Sequence, residues 1–411
     1  MAMAERAAGR GQVRRRRVFY IPGFDPIQTR RYRQFYREEG PRQAAISGYA
    51  LEVGRGKPAG IAHGWSVKAE IDGEPVEAVV EVLAWADIIG GSMRRTIPAT
   101  YWQMLRTAWI YVATGALFRL GRLRKGPTLA ALYPVVMLSL QAGVAVLAGW
   151  GLGVGVAWVV PGGWGVVLGV AAGLGWAVAL LRAFQRWDRW FLAYYLMHDY
   201  AFSAGLRGAY PPVLLERMEV FRGRILAALA GDWDEVLVVG HSSGAILGVS
   251  ILADLLRDGV PARAPALSFL TLGQVVPMVS FLPEARKLRG DLAYLSAQAG
   301  ITWVDVTAPG DGCAFALCDP VAVSGVAGEG KRWPLVISCA FTRTFSPERW
   351  RKMRFRWFRL HFQYMCAFDR PGDYDYFRVT AGPLTLGARY AGRLPSKSRI
   401  ERALSGYRSV A

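Results

Sequence analysis

The chain has 411 residues, of which 53% are hydrophobic, and a formal net charge of +19 at pH 7. Its mean hydropathy of +0.20 is low for a polytopic transporter and high for a soluble globular protein, which favours a soluble-type domain with a short membrane insert. The basic balance, with a pI of about 10.1, predicts a polyanionic neighbour, either nucleic acid or an anionic membrane surface.

The first elements read from the N-terminus are a basic arm, a strand and a helix. Residues 1–16 are rich in arginine but have no apolar core, so we expect a disordered arm and not a secretory signal peptide. The apolar run Val18–Ile21 precedes a Pro-Gly turn signal and predicts a buried strand. A helix is expected from Ile27 to about Glu39. The alternating pattern of Tyr49–Trp85, around an Asp-Gly pair, predicts antiparallel strands at a sheet edge.

The middle of the chain is an apolar insert. From Gly126 to Leu181 no residue is charged, a run of 56 positions. Because a membrane helix needs about 20 residues, this length predicts a two-helix transmembrane hairpin over residues 126–182. The turn lies either within Gly149–Gly155 or at Pro161-Gly162-Gly163. Glycines at every fourth position form one helix face that permits close packing within or between chains: Gly165, Gly169 and Gly173.

Both flanks of the insert are basic, whereas the turn between its helices carries no charge. By the positive-inside rule both ends face the cytoplasm, in a membrane of the bacterial inner or cell membrane type. We expect aromatic side chains to anchor the insert, and Tyr101–Leu120 to lie along the membrane surface. The basic flanks are Arg119, Arg122, Arg124 and Lys125 before the insert and Arg182, Arg186 and Arg189 after it; the anchors are Trp187, Trp190, Tyr194 and Tyr195.

Strand and helix patterns alternate after the insert, which predicts an α/β fold with a mostly parallel sheet covered by helices on both faces. The domain would comprise residues 17–125 and 183–390, followed by a basic, peripheral tail at 391–411. The expected strands are Glu235–Val239, Leu267–Gly273, Ile301–Val306 and Trp333–Ala340, and the expected helices are Pro211–Ala230, Ala245–Leu256 and Asp291–Gln298.

Patterns for metals and cofactors are weak. His198-Asp199 lacks further ligands in step with it, and no Gly-x-x-x-x-Gly-Lys phosphate loop is present. The four cysteines form no Cys-x-x-Cys pair, which favours free thiols in a reducing compartment. We therefore expect neither a metal nor a cofactor. The cysteines are Cys313, Cys318, Cys339 and Cys366.

The strongest chemical signal is Gly240-His241-Ser242-Ser243-Gly244. It follows a predicted strand directly and leads directly into a predicted helix. A serine on such a turn is held in a strained conformation with its hydroxyl exposed, and the helix N-terminus favours developing negative charge. This context predicts that Ser242 is a nucleophile.

With this motif the chain resembles the α/β-hydrolase superfamily, over roughly Arg17–Ala50 and Pro211–Phe377. The family orders its catalytic triad as nucleophile, acid and histidine. The resemblance therefore implies Ser242, Asp311 and His361, since His361 is the only histidine after Ser242 and Asp311 lies in the loop after a late strand. Asp305 and Asp319 remain alternatives for the acid.

The resemblance also implies an oxyanion hole made by two backbone N–H groups. One donor is the residue after the nucleophile, Ser243, and the other belongs to the loop after the first strand, which makes it Phe24. The family's frequent histidine in this loop is replaced by Pro22, which leaves a backbone donor in place.

A basic and aromatic connection precedes His361. Such a pattern suits nucleic acid or anionic lipid headgroups, and the apolar insert favours the lipid. Its cations are Arg349, Arg351, Lys352, Arg354, Arg356 and Arg359, and its aromatics are Trp350, Phe355, Trp357 and Phe358.

These patterns together predict a membrane-anchored serine hydrolase, such as an esterase, lipase or thioesterase, that cleaves a lipophilic acyl substrate through an acyl-enzyme on Ser242. Its partners would be membrane lipids with anionic headgroups, with no nucleic acid expected. The alternatives are a non-catalytic membrane scaffold with a hydrolase fold and a serine acyltransferase.

Overall fold

The computed structural model describes residues 11–26, 30–54, 58, 60–61, 63–93 and 95–411. The strands are β1 (Arg15–Ile21), β2 (Ala50–Val53), β3 (Gly64–Ile71), β4 (Glu74–Val82), β5 (Glu235–His241), β6 (Ala266–Leu272), β7 (Thr302–Thr307) and β8 (Leu335–Ser338).

The helices up to the end of the apolar insert and its flank are α1 (Arg30–Ser47), α2 (Ala86–Met93), α3 (Ile97–Ala113), α4 (Ala116–Leu123), α5 (Lys125–Val159), α6 (Gly163–Arg186), α7 (Asp188–Phe191) and α8 (Ala193–Ala204). The later helices are α9 (Pro212–Leu229), α10 (Gly244–Asp258), α11 (Val276–Ser280), α12 (Arg286–Ala297), α13 (Pro320–Val323), α14 (Phe341–Thr344), α15 (Pro347–Met353), α16 (Trp357–His361), α17 (Tyr376–Ala381) and α18 (Leu386–Arg389), with a 3-10 turn at Gln363–Met365.

The eight strands form one sheet in the order β2-β3-β4-β1-β5-β6-β7-β8. Only β3 runs antiparallel to its neighbours, and the other five pairings are parallel. The predicted α/β class with a mostly parallel sheet is confirmed. The predicted edge hairpin is present as well, because Asp72 and Gly73 both adopt positive φ, the conformation that a two-residue turn between antiparallel strands requires.

Helices cover both faces of the sheet, and β1 shows how its side chains meet them. Val18 and Tyr20 share a buried cluster with aromatic residues of α1 and α17. Gly248 of α10 packs near Ile21, whose side chain points to the other face because alternate strand residues point in opposite directions. Strand β5 is buried along its whole length, as a central parallel strand between two helical layers must be.

Helix α1 is longer than predicted. The sequence pattern ended it near Glu39 because Gly40 and Pro41 are helix breakers, yet the helix continues to Ser47. A Cβ atom at Gly40 would lie 2.9 Å from the side chain of Leu51, so tertiary packing requires a glycine inside this helix. The predicted start, at Ile27, lies outside the described residues.

Residues at both ends of the described chain are tied to the sheet domain, including the end of the predicted N-terminal arm, residues 1–16. Residues 1–10 lie outside the described part of the chain, but Arg16 is wholly buried in β1 and pairs with Glu235 at 2.6 Å. In the C-terminal tail, the Ile400 N–H donates to Leu317 O at 2.7 Å, and Arg289 Nε donates to Ser409 O. The tail is irregular but is tied to the domain by hydrogen bonds.

The chain divides into two compact units. The first contains residues 1–90, 115–127 and 206–411, and the second contains 91–114 and 128–205. The sheet lies in the first unit. The second unit extends beyond the predicted hairpin, since it includes α3 and α8, which pack together around Met104, Tyr194 and Met197.

Helices α5 and α6 are both long and apolar enough to cross a membrane. The turn between them is at Val160–Gly162, which decides between the two predicted positions. Glycines on both helices meet backbone to backbone: a Cβ atom at Gly169 would lie 2.5 Å from Gly153 O, and one at Gly173 would lie 2.6 Å from Gly149 O. The predicted glycine face therefore packs within the chain.

We expect Gly169→Ala to destabilise the second unit by about 1–3 kcal/mol, because the added methyl group overlaps the Gly153 carbonyl and must push the helices apart. Gly175→Ala is the matched control on the same helix, since its Cβ atom meets nothing within 4 Å, and it should be neutral or stabilise by up to about 1 kcal/mol. Thermal unfolding of the detergent-solubilised variants measures both effects. Equal melting temperatures would contradict the packing.

Candidate functional site

The Gly240–Gly244 motif forms a strand-turn-helix corner between β5 and α10. Ser242 has φ of 56°, the left-handed conformation that non-glycine residues rarely adopt, and its N–H donates to Leu272 O at 2.9 Å. Its side chain is partly exposed, whereas His241 and Ser243 on either side are buried. Within Gly240–Gly244, Ser242 is therefore the one residue that is not fully buried.

Three glycines are needed where this corner approaches its neighbours. A Cβ atom at Gly240 would lie 2.8 Å from the Cα of Ala245, and one at Gly244 would overlap the carbonyl of Ile21. A Cβ atom at Gly23 would lie 2.9 Å from Ser242 Cβ, so the loop after β1 passes directly against the serine. Any larger residue at these three positions would displace the corner.

Asp311 and His361 form a buried hydrogen-bonded pair. His361 Nδ1 donates to Asp311 Oδ2 at 2.8 Å, and the Cys313 N–H donates to Asp311 Oδ1 at 2.9 Å. Burial raises the pKa of the Asp311 carboxyl, but the nearby imidazole and the hydrogen bonds from His361, Cys313 and Tyr364 together outweigh it, so the pKa lies below its ordinary value. The carboxylate is held ionised beside the imidazole.

The structure also shows where His361 lies relative to Ser242. Strands β5 and β6 pair His241 with Leu272, so Ser242 lies beside Gly273. A Cβ atom at Gly273 would lie 3.3 Å from His361 Cε1, which places the imidazole over the strand end next to the serine. Among the described residues no hydrogen bond joins Ser242 Oγ to His361, whose ring nitrogen Nδ1 is bonded to Asp311.

Two further residues, His241 and Tyr364, hold the Asp311–His361 pair in place by hydrogen bonds. Neither of these supporting roles was predicted from the sequence. His241 Nε2 donates to the backbone oxygen of His361 at 2.8 Å, and burial lowers the pKa of His241 to about 3, so its ring is neutral. The Tyr364 hydroxyl donates to Asp311 Oδ2 at 2.9 Å. The only sequence signal for Tyr364 is its position one turn after His361.

The alternative acids lie elsewhere. Asp305 is wholly buried on β7, where its Oδ1 accepts from Thr271 at 2.6 Å, and burial raises its pKa to about 8. Asp319 caps α13 and pairs with Lys331 at 2.6 Å. Of the three predicted acids, Asp311 is the one that the structure brings to His361.

The predicted oxyanion-hole donors lie side by side, but one of them is occupied. The Phe24 N–H donates to Ser243 Oγ at 2.8 Å, and both residues are buried. The Ser243 N–H donates to no acceptor among the described residues. Of the two predicted donors, the Phe24 N–H is therefore occupied, and the Ser243 N–H is open within the described part of the chain.

One group of possible metal ligands overlaps this site. Single ligand atoms of Asp311, Cys313 and His361 lie within 4.8 Å of one another, the one such cluster found in the described part of the chain. A cation on His361 Nδ1 would have to replace the proton that this nitrogen shares with Asp311.

Comparisons with protein-family models, with curated proteins and with solved structures found no match to this chain.

We expect Tyr364→Phe to lower the free energy of unfolding by about 1.5–3 kcal/mol at neutral pH, because it removes a hydrogen bond to the buried Asp311 carboxylate. Since the pKa of Asp311 is depressed, its stabilising effect is present above about pH 4 and is lost as the pH falls through its folded value. The loss of unfolding free energy caused by Tyr364→Phe should therefore become smaller below pH 4, as measured by chemical denaturation.

Tyr374→Phe is the control, because Tyr374 is equally buried but donates to a neutral acceptor, Tyr364 O, at 2.7 Å. Its cost should not change with pH over the same range. A cost of Tyr364→Phe that is independent of pH would show that the hydroxyl does not act on the Asp311 carboxylate.

We expect the free energy of unfolding of Asp305→Asn to increase relative to that of the native protein as the pH rises from about 4 to 8. The pKa of Asp305 is raised, so the folded chain retains a proton that the unfolded chain has lost, and native stability declines across this window. Denaturation of both proteins at pH 5 and pH 8 measures the difference. If the difference in unfolding free energy between the two proteins does not increase with pH, Asp305 is ionised in the folded protein.

Proposed function

We propose that the chain is a membrane-anchored serine hydrolase of the α/β-hydrolase type, which cleaves a lipophilic carboxylic ester or thioester. The observation that carries this proposal is the buried Asp311–His361 hydrogen bond beside a serine in left-handed conformation. This combination matches the roles of acid, base and nucleophile in acyl transfer.

In the proposed reaction Ser242 Oγ attacks the acyl carbonyl carbon while His361 Nε2 accepts the hydroxyl proton. Asp311 holds Nδ1 protonated and stabilises the imidazolium that forms. The alcohol or thiol leaves with the proton from His361, which yields an acyl-serine. A water molecule then repeats the sequence, with its proton passing to His361, and releases the acid and the free serine.

The oxygen that becomes negative in this reaction needs donors near Ser242. The Ser243 N–H lies at the start of α10, where the helix terminus favours negative charge. The Phe24 N–H would join it once Ser243 Oγ rotates away. This requirement makes Ser243 a residue whose side chain has to move before the hole is complete.

The lipophilic substrate and the membrane anchor are inferred from the exposed surface of the hairpin. Trp158 is 91% exposed near the turn and Trp109 of α3 is 71% exposed, together with many aliphatic side chains of α5 and α6. A surface of this kind would be costly in water and is favourable in lipid. The basic flanks of the insert favour a cytoplasmic catalytic domain in a bacterial-type inner or cell membrane.

A second candidate function, a non-catalytic membrane scaffold, rests on two hydrogen-bonding observations. The Phe24 N–H is already bonded to Ser243 Oγ, and Ser242 has no hydrogen bond to His361 among the described residues. Catalytic hydrogen bonds are often long before substrate binds, so these observations are compatible with both functions. Activity distinguishes them.

We expect the detergent-solubilised protein to hydrolyse p-nitrophenyl esters, with higher kcat/KM for medium and long acyl chains than for acetate. Ser242→Ala should lose activity by a factor on the order of 10⁴–10⁶, and Asp311→Asn by about 10⁴. Asp305→Asn is the matched control, since this buried aspartate does not contact His361, and it should retain activity.

Product analysis in the presence of acceptor alcohols separates hydrolysis from acyl transfer. Folded wild-type protein that is inactive on the whole ester and thioester series would favour the scaffold. Equal loss in Asp305→Asn and Asp311→Asn would remove Asp311 from its proposed role.

A further inference from the structure

A cationic surface lies next to the candidate site. We call residues 349–359 the arginine–aromatic segment; it spans most of α15, the following turn and the start of α16. Between Phe341 and Phe368 the chain has seven cations and a single acid, Glu348. Exposed cationic side chains dominate the segment: Arg351, Lys352, Arg354, Arg356 and Arg359.

Only two of the six cations in the arginine–aromatic segment lie near a carboxylate of the described residues. Arg349 pairs with Asp369, and Arg351 approaches Glu348 at 4.0 Å. No carboxylate of the described residues lies within 4.0 Å of the remaining four cations, Lys352, Arg354, Arg356 and Arg359. Four uncompensated cations within eight residues attract a polyanion.

Aromatic side chains are exposed among these cations. Phe355 is 76% exposed with the Arg354 guanidinium 4.7 Å from its ring centroid, and Trp357 is partly exposed. A large apolar ring that is exposed among arginine side chains is unfavourable in water. It is stabilised in the headgroup region of a bilayer, where apolar and charged groups are both accommodated. Helix α4 also exposes one aromatic and one basic side chain, Phe118 and Arg122.

The segment also supports the loop that carries Asp311. A Cβ atom at Gly310 would lie 2.8 Å from the Trp350 ring, and one at Gly312 would lie 3.6 Å from the Trp357 ring. A Cβ atom at Gly126, in the first turn of α5, would lie 3.2 Å from Gly312 O.

We propose that the arginine–aromatic segment is a second membrane contact, separate from the hairpin, that docks on anionic lipid headgroups and holds the Asp311 loop at the lipid surface. The occupant is a membrane and not nucleic acid, because the same chain has two helices that are long and apolar enough to cross a membrane. In the context of the proposed function, which this inference deepens, the substrate is an acyl lipid reached from the bilayer surface.

The membrane contact is tested with full-length Ser242→Ala protein in nanodiscs. This variant is used so that no lipid is hydrolysed during the measurement. An environment-sensitive fluorescent amino acid is placed at Phe355 or, as the control, at Leu394, which is also 76% exposed. Brominated lipids quench the fluorophore when it enters the bilayer. We expect quenching at 355 but not at 394, in discs of phosphatidylcholine with phosphatidylglycerol, and much less in phosphatidylcholine alone.

The charge contribution is tested by the triple variant Lys352→Gln, Arg354→Gln, Arg356→Gln. Each cation near an anionic surface contributes roughly five-fold to the attraction, so the variant should weaken docking about 100-fold and reduce quenching at 355 to the level at 394. A matched triple variant, Arg263→Gln, Lys397→Gln, Arg402→Gln, removes three exposed cations elsewhere and should leave quenching unchanged.

Equal quenching at the two positions, or equal effects of the two triple variants, would overturn the proposal. So would a response of the fluorophore at 355 to single-stranded RNA but not to lipid. Because all of these measurements use the Ser242→Ala protein, loss of lipid contact and loss of ester hydrolysis are separate results.

Discussion

The hydrogen bond between Asp311 and His361 is the interaction on which the site depends. It is buried, and it joins the loop after β7, which carries Asp311, to the end of helix α16, which carries His361 and follows β8 in the chain. The surrounding groups all act to hold it: Cys313 and Tyr364 donate to the carboxylate, and His241 donates to the histidine backbone. An ionised carboxylate and a fixed imidazole tautomer are the combined result.

The second constraint is the tight corner at Ser242. The positive φ of the serine is unfavourable by itself, and it is maintained by the close approach of Gly23, Gly240 and Gly244 to their neighbours. The loop after β1 is fixed in turn by Trp85, whose Nε1 donates to Pro22 O. Backbone strain of this kind, at a residue that is not fully buried, is typical of functional positions.

The sequence predicted the elements that repeat a pattern and missed those that depend on tertiary contacts. The strands around Ser242, the edge hairpin and the glycine face of the apolar helices were all predictable, because alternation, Asp-Gly turns and four-residue spacing are local signals. The extension of α1 past Pro41 was not, since the packing of Gly40 on Leu51 decides it. The choice of Asp311 over Asp305 and Asp319, and the support from Tyr364, needed three-dimensional contacts between distant loops.

In the proposed function the apolar hairpin and the arginine–aromatic segment would contact lipid, and the central claim concerns the chemistry of Ser242. Mass spectrometry after treatment of the folded protein with a fluorophosphonate tests it most directly. The account predicts one adduct per chain, on the peptide that contains Ser242, and a rate of labelling that falls when His361 is replaced by glutamine. Folded protein without an adduct, or an adduct on another serine, would contradict the account.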